Sequence, residues 1–238
     1  MNMHARATAA GICAFAVLSV TAGCTIGDDS GTKSQSSEKT YEIGETVTDM
    51  TVREPAGTVT VVAGEGPVKV TETPSAGSKK PATTNRVKNG SLVLEDRGCG
   101  SGVEAGKGCS VDWEIRVPAS VAVTVVTSSG DVSVSGIQGR LDLSASAGDI
   151  KGTGLSSQQA LLRTQAGSVD AAFSGAPQLV DASAEAGDVT LKLPGDTSYN
   201  VDAATEQGTR KVTVPEDPAS AHEIRVRVSL GDLTVQTS

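Results

Sequence analysis

Val180-Asp181-Ala182-Ser183-Ala184-Glu185-Ala186-Gly187-Asp188-Val189-Thr190-Leu191 is one copy of a unit that this chain repeats. The Gly-(Asp/Ser)-(Val/Ile/Leu) at its centre recurs at Gly130, Gly148, Gly167, Gly187 and Gly231, and a weaker copy at Gly208 fills the last gap. The steps are 18, 19, 20, 21 and 23 residues. A period of about 20 marks one structural unit stacked on itself, the signature of a solenoid.

Aligning the copies on their glycines gives the strand pattern. Seven residues before each glycine stand Val123, Leu141, Ala160, Val180, Val201 and Ile224. Five before stand Val125, Leu143, Leu162, Ala182, Ala203 and Val226, and three before stand Thr127, Ala145, Thr164, Ala184, Thr205 and Val228. The places between are mostly polar, as at Asp142, Ser144, Arg163, Asp181, Ser183, Asp202, Arg225 and Arg227. Small or apolar residues alternating with polar ones make a strand with one buried face. Val132, Ile150, Val169, Val189 and Leu233 begin a second strand two places after the glycine. Each repeat therefore reads as two short strands joined at a corner, where glycine allows positive φ and close approach of the next coil. The expected fold is an all-β, single-chain β-solenoid with coils of about 18–21 residues.

Composition agrees. Aromatic content is 2% and glycines number 27, as a narrow coil with a thin core requires. The net charge is −8, and losing residues 1–23 would leave 19 basic against 28 acidic side chains. Such a surface argues against nucleic acid as a partner.

The amino terminus reads separately. Met1 to Arg6 is weakly basic, Ala7 to Val20 is mostly apolar, and Thr21-Ala22-Gly23-Cys24 closes the run. The layout is that of a secretory signal peptide. The last four residues resemble a bacterial lipobox, which implies an acylated Cys24 as the mature first residue. Thr21, where lipoboxes prefer Leu, and the single Arg depart from that pattern. The rival reading is an ordinary signal peptide with an incidental cysteine. Residues 24–40 are polar, Ser/Gly-rich and aperiodic, as befits a flexible tether behind a membrane anchor. The expected layout is a lipoprotein signal peptide over 1–23, acylated cysteine and tether over 24–40, and the solenoid over 41–238. Its regular coils should begin near residue 122. The expected location is extracytoplasmic, lipid-anchored at the cell membrane.

Ahead of the regular repeats, Ala56-Gly57-Thr58-Val59-Thr60-Val61 looks like a first degenerate corner. A polar stretch spans Thr73 to Asn85, and Ser91-Leu92-Val93-Leu94-Glu95 reads as part of a hairpin. The strand Ile224 to Val228, in the last repeat, carries Arg225 and Arg227 outward, and these are read as blunting the solenoid's open end.

Together, Trp113-Glu114-Ile115-Arg116-Val117-Pro118, Val123 to Val132, the Gly-Asp corners and Leu191-Lys192-Leu193-Pro194 resemble the bacterial "putative adhesin" domain family of unknown function. The likeness covers roughly residues 50–238. It implies a repetitive extracytoplasmic β domain, and it carries over no catalytic residue.

Several constellations are candidate chemistry. Cys99 and Cys109 enclose nine residues of a glycine-rich loop. In an exported chain they read as a disulfide, with free thiols or a metal as the alternative. Asp131, Asp149, Asp188 and Asp232 share one column, interrupted by Ser168. Stacked ~4.8 Å apart, such carboxylates could take Ca²⁺ or act as an acid/base pair. The plainer reading is that each caps backbone at a tight turn. His222 is the lone histidine after the signal peptide, and neither Ser128 nor Ser129 has an evident base. Gly100 to Ala105 matches a dinucleotide fingerprint only formally, and Gly102 to Lys107 a phosphate loop only loosely; no helix pattern follows either. Tyr41, Trp113, Phe173 and Tyr199 are scattered, and Trp113 should be buried rather than form a sugar platform. No catalytic residue, metal ligand or cofactor is assigned.

The functional expectation is a non-enzymatic, lipid-anchored envelope protein presenting the solenoid for binding or adhesion to a protein or glycan. The first alternative is an envelope-stress or signalling accessory acting through a membrane protein. The second is an enzyme acting on cell-wall polysaccharide.

Overall fold

The computed structural model describes residues 38–76, 81–99 and 109–238, all within the compact unit Ser34–Ser238. The expected signal peptide, Cys24 and nearly all of the tether lie outside the described residues. Before the regular repeats come β1 (Lys39–Ile43), β2 (Asp49–Ala56), β3 (Val59–Ala63), β4 (Val68–Ala76), β5 (Thr83–Lys88), β6 (Ser91–Asp96) and β7 (Cys109–Val117). The repeats supply β8 (Ala122–Ser129), β9 (Val132–Ser135), β10 (Leu141–Ala147), β11 (Ile150–Leu155), β12 (Gln159–Ala166), β13 (Val169–Phe173), β14 (Leu179–Ala186) and β15 (Val189–Leu193). Last come β16 (Asn200–Gln207), β17 (Arg210–Val212), β18 (Glu223–Leu230) and β19 (Leu233–Thr237). No helix occurs among the described residues.

These strands form two sheets, one on each side of a thin core. The ten-stranded sheet runs β1-β4-β7-β3-β9-β11-β13-β15-β19-β17, and the nine-stranded sheet runs β16-β18-β14-β12-β10-β8-β2-β6-β5. Within each regular coil the first strand lies in one sheet and the second in the other. The fold is thus a β-solenoid, flattened into two parallel sheets. Leu143 stands in register with Leu162, and Ser144 with Arg163, as the glycine alignment requires. Val123, Val125, Leu141, Leu143, Ala160, Leu162, Val180 and Ala182 are all buried, which confirms the inward columns.

Both ends depart from a simple winding. The last coil in sequence, β18/β19, lies between β14/β15 and β16/β17. The chain therefore leaves a place for one coil and returns to fill it. This corrects two expectations. Gly208 is not the rung between Gly187 and Gly231, and Arg225 and Arg227 do not guard an open end. Instead Arg227 pairs with Asp202 of the true end coil, and Arg225 with Glu223 at 2.6 Å. Val201, Ala203 and Thr205 of β16 are only half-buried, because a terminal coil has a neighbour on one side alone.

The other end is permuted in the same way. The coil β2/β3 sits between β6/β7 and β8/β9. Beyond β6/β7 the parallel order stops, and β1, β4 and β5 close this end with antiparallel pairing. Two coils therefore precede residue 122. The stretch from Thr73 to Asn85, polar though it is, supplies the end of β4 and the start of β5. Its alternation is lost because edge strands need not bury a full face. The hairpin reading holds for β5 and β6, which turn at Asn89 (φ 52°) and Gly90 (φ 81°).

Candidate functional site

The glycine corners form one continuous ladder down the solenoid. Gly130, Gly148, Gly167, Gly187 and Gly231 all have φ of 140° to 147°. A Cβ on Gly167 would lie 2.1 Å from the Gly148 carbonyl oxygen, and one on Gly187 would lie 2.0 Å from that of Gly167. Gly231 abuts Gly187 and Gly208 abuts Gly231, so the ladder follows the permuted order. Each corner thus needs glycine twice, for its backbone angle and for the neighbouring coil.

One oxygen of each aspartate in the column beside this ladder accepts a backbone N–H of a neighbouring coil. Asp131 Oδ1 accepts the N–H of Asp149 at 2.9 Å, and Asp149 Oδ1 that of Ser168 at 2.7 Å. Ser168 Oγ accepts from Asp188 N–H at 3.2 Å, Asp188 Oδ1 from Asp232 N–H at 2.7 Å, and Asp232 Oδ1 from Thr209 N–H at 2.7 Å. Each side chain caps the next coil rather than its own turn. Ser168 stands in the column because its hydroxyl performs the same task. Asp112, ahead of the regular coils, joins the pattern by accepting Thr58 N–H at 2.8 Å.

Cys99 and Cys109 are disulfide-bonded, with Cα atoms 6.0 Å apart. The bond ties the chain just after β6 to the first residue of β7. His222 Nδ1 lies 2.7 Å from the Pro177 carbonyl oxygen, and its ring meets Tyr199 edge-on at 6.0 Å. Tyr199 is buried and donates its hydroxyl to the Pro194 carbonyl. Trp113 and Phe173 are buried too. Half-buried Tyr41 donates its hydroxyl to Glu72 at 2.6 Å. The aromatic residues therefore form no exposed platform.

The structure adds a feature that the glycine alignment did not reach. In the inward row three places before the corner, where later coils put Thr, Ala or Val, β2 places Glu54, in register with Thr127 of β8. The β2–β6 register carries Asp96 to the other side of Glu54. Glu54, Asp96 and Thr127 are all buried. Glu54 Oε2 accepts Trp113 Nε1–H at 2.7 Å, and Oε1 accepts Ala56 N–H at 3.0 Å. Burial nevertheless pushes this carboxyl up to about 7 against those two hydrogen bonds and a third from the Val111 backbone, and Asp96 adds to the rise. Asp96 is also raised, by burial first and then by Glu72, although Gly98 N–H stabilises its anion. Extending the alignment to Gly57 exposes Glu54 as the odd member of its row. Asp96 gives no such signal, because Cys99 stands at its corner.

Two shallow hollows of about 130 and 210 Å³ lie along β3 and β7, and one of about 290 Å³ lies at the corner formed by Gly57, Cys109 and Gly130. Each falls below the ~300–1,000 Å³ of pockets that bury a small ligand. The hollow of about 210 Å³ is lined by Thr58, Thr60, Thr73, Asp112, Trp113 and Glu114.

Two parallel sheets, a glycine ladder and side chains spent on backbone define a β-solenoid scaffold. The chain belongs to the Toastrack DUF4097 family, whose model matches residues 112–236. It is similar in fold to a putative cell adhesion protein from Clostridium sporogenes, at 14% identity and a TM-score of 0.56, with 85% of this chain and 99% of that one covered. A looser likeness is to a putative adhesin from Bacteroides fragilis, at 14% identity and a TM-score of 0.47, covering 84% and 96%. No curated protein matches the chain.

Proposed function

We propose that this chain is a lipid-anchored extracytoplasmic protein that works by presenting its solenoid as a binding surface. The observation that carries this reading is the use made of the chemical side chains. The aspartate column, Ser168 and His222 all serve backbone groups. What remains outward is a pair of flat faces bearing threonines and paired charges, such as Arg163 between Asp142 and Asp181. Such faces suit a protein or glycan surface. The Cys99–Cys109 bond fits an oxidising compartment, and the sequence from Thr21 to Thr40 fits an acylated Cys24 with a tether. The fold it shares with a putative cell adhesion protein agrees with this role.

The test is fractionation of intact cells and mass spectrometry of the mature terminus. Acylation at Cys24 and membrane association are expected, and Cys24→Ser should release the protein or leave its precursor uncut. An unmodified mature terminus elsewhere would remove the anchor. Cross-linking from intact cells should then capture an envelope protein or glycan on the outward faces. Turnover of a cell-wall glycan that stops in Asp131→Ala or Asp149→Ala would overturn the non-enzymatic reading.

A further inference from the structure

Asp96, Glu54 and Thr127 are consecutive members of one inward row, contributed by three stacked coils. Neighbouring strands lie ~4.8 Å apart, so the two carboxyl groups are held side by side in the core. No Lys, Arg or His among the described residues pairs with either. Glu72 on β4 approaches from the capping layer, but it adds a third carboxylate. Its own oxygens take the hydroxyls of Tyr41 and Thr83, and Lys39 stands 4.0 Å away at the surface. From β7 only Trp113 Nε1–H and the Val111 backbone reach Glu54. Asp96 Oδ2 and Thr127 Oγ1, on the two flanks of Glu54, are buried without a hydrogen-bond partner.

Two buried carboxylates at this distance do not both ionise, because each raises the cost of charging the other. An ionised Asp96 would leave Oδ2 as a bare anionic oxygen in the core. A protonated Asp96 relieves that oxygen of its charge, next in the row to Glu54. We propose that the amino-terminal end of the solenoid carries a proton-operated latch. One proton held between Asp96 and Glu54 keeps the coil β6/β7 seated on β2/β3. Its loss to solvent lets β6/β7 and the strands capping it come away, while the coils from β8 onward stay folded. The sign follows from the direction of both shifts. A carboxyl raised on folding stabilises the fold fully below its ordinary range, and this is lost as pH rises through the raised value. For Glu54 that value is about 7, so the latch is shut in acid and opens through neutrality.

Trp113 is the chain's single tryptophan and its indole donates to Glu54, so its emission reads the latch directly. In the purified full-length protein, raising pH from about 4 to about 9 should shift Trp113 emission to the red, the change falling between the ordinary carboxylate range and just above 7. Hydrogen exchange, corrected for its intrinsic pH dependence, should speed up in β6 and β7 and not in β10 to β15. Glu54→Gln keeps an acceptor for the indole and removes the titration, so its emission should hold the acid value throughout. Asp96→Asn should do the same, and it decides the matter if Glu54→Gln does not fold. Emission independent of pH in the unaltered protein overturns the proposal. So does a transition that survives in Asp96→Asn, or exchange that rises equally in every coil.

Discussion

Gly167 and Gly154 both have positive φ, at 144° and 59°, yet their neighbours make them unequal. A Cβ on Gly154 meets nothing within 4 Å, whereas one on Gly167 collides with the Gly148 carbonyl. Gly154→Ala should therefore cost about 1–2 kcal/mol, the backbone term alone. Gly167→Ala should cost more than about 4 kcal/mol, because backbone of the next coil cannot step aside. Denaturant unfolding of the two variants checks the contrast, and equal losses would mean that close coil approach is not what the ladder requires. Leu143 and Ser144 make the matching test for the strand. Leu143 is fully buried and Ser144 faces outward beside Arg163. Leu143→Asp leaves an unpaired carboxylate in the core and should cost several kcal/mol. Ser144→Asp should stay within about 0.5 kcal/mol. Equal melting losses would show that the strand is not one-sided.

At the scale of the element, the corner is the unit, and most of it was legible in the sequence. Gly187-Asp188-Val189 already states a left-handed turn, a capping carboxylate and the first buried residue of the next strand. The partner of the carboxylate was not legible, because it is the N–H of another coil. Asp149→Ala leaves the exposed Ser168 N–H to water, so the expected loss is about 1 kcal/mol. Three places after Asp96, where the other coils put their corner glycine, the chain has Cys99. There Cys99–Cys109 closes the longer connection, and ten residues of separation give at most about 3 kcal/mol on the chain-entropy argument. Mild reduction should therefore lower the melting temperature and leave the β-sheet circular dichroism intact. Loss of that signal would assign the bond a larger share of the fold. The buried carboxylates stayed hidden for a related reason. Glu54 shows as the odd member of its row only once Gly57 is counted as a corner, and Asp96 is an ordinary polar letter until register puts it on the inward side of the next strand.

For the whole molecule, periodicity announced the stack and withheld its order. Copies at even steps along the chain look like consecutive coils, and nothing local in Asn200–Gln207 or Glu223–Leu230 says which one lies outside. The structure places the later copy inside, with Ile224, Val226, Val228, Leu233 and Val235 buried. Ending the chain at residue 222 therefore removes an interior coil and strands β16/β17. The melting midpoint should fall by at least ~10 °C, since ~1 kcal/mol moves a domain of this size by ~2–4 °C. Oxidative cross-linking of paired cysteines tests the stacking order most directly, with mass mapping to separate them from Cys99–Cys109. Ser144→Cys with Arg163→Cys should bond readily, as adjacent coils in register. Ser183→Cys with Arg227→Cys should bond as readily, because β14 and β18 are neighbours. Ser183→Cys with Ala204→Cys spans two rungs, ~9.6 Å, beyond a disulfide's ~7 Å reach, and should not bond. Bonding of the 183–204 pair in preference to the 183–227 pair would contradict the architecture described.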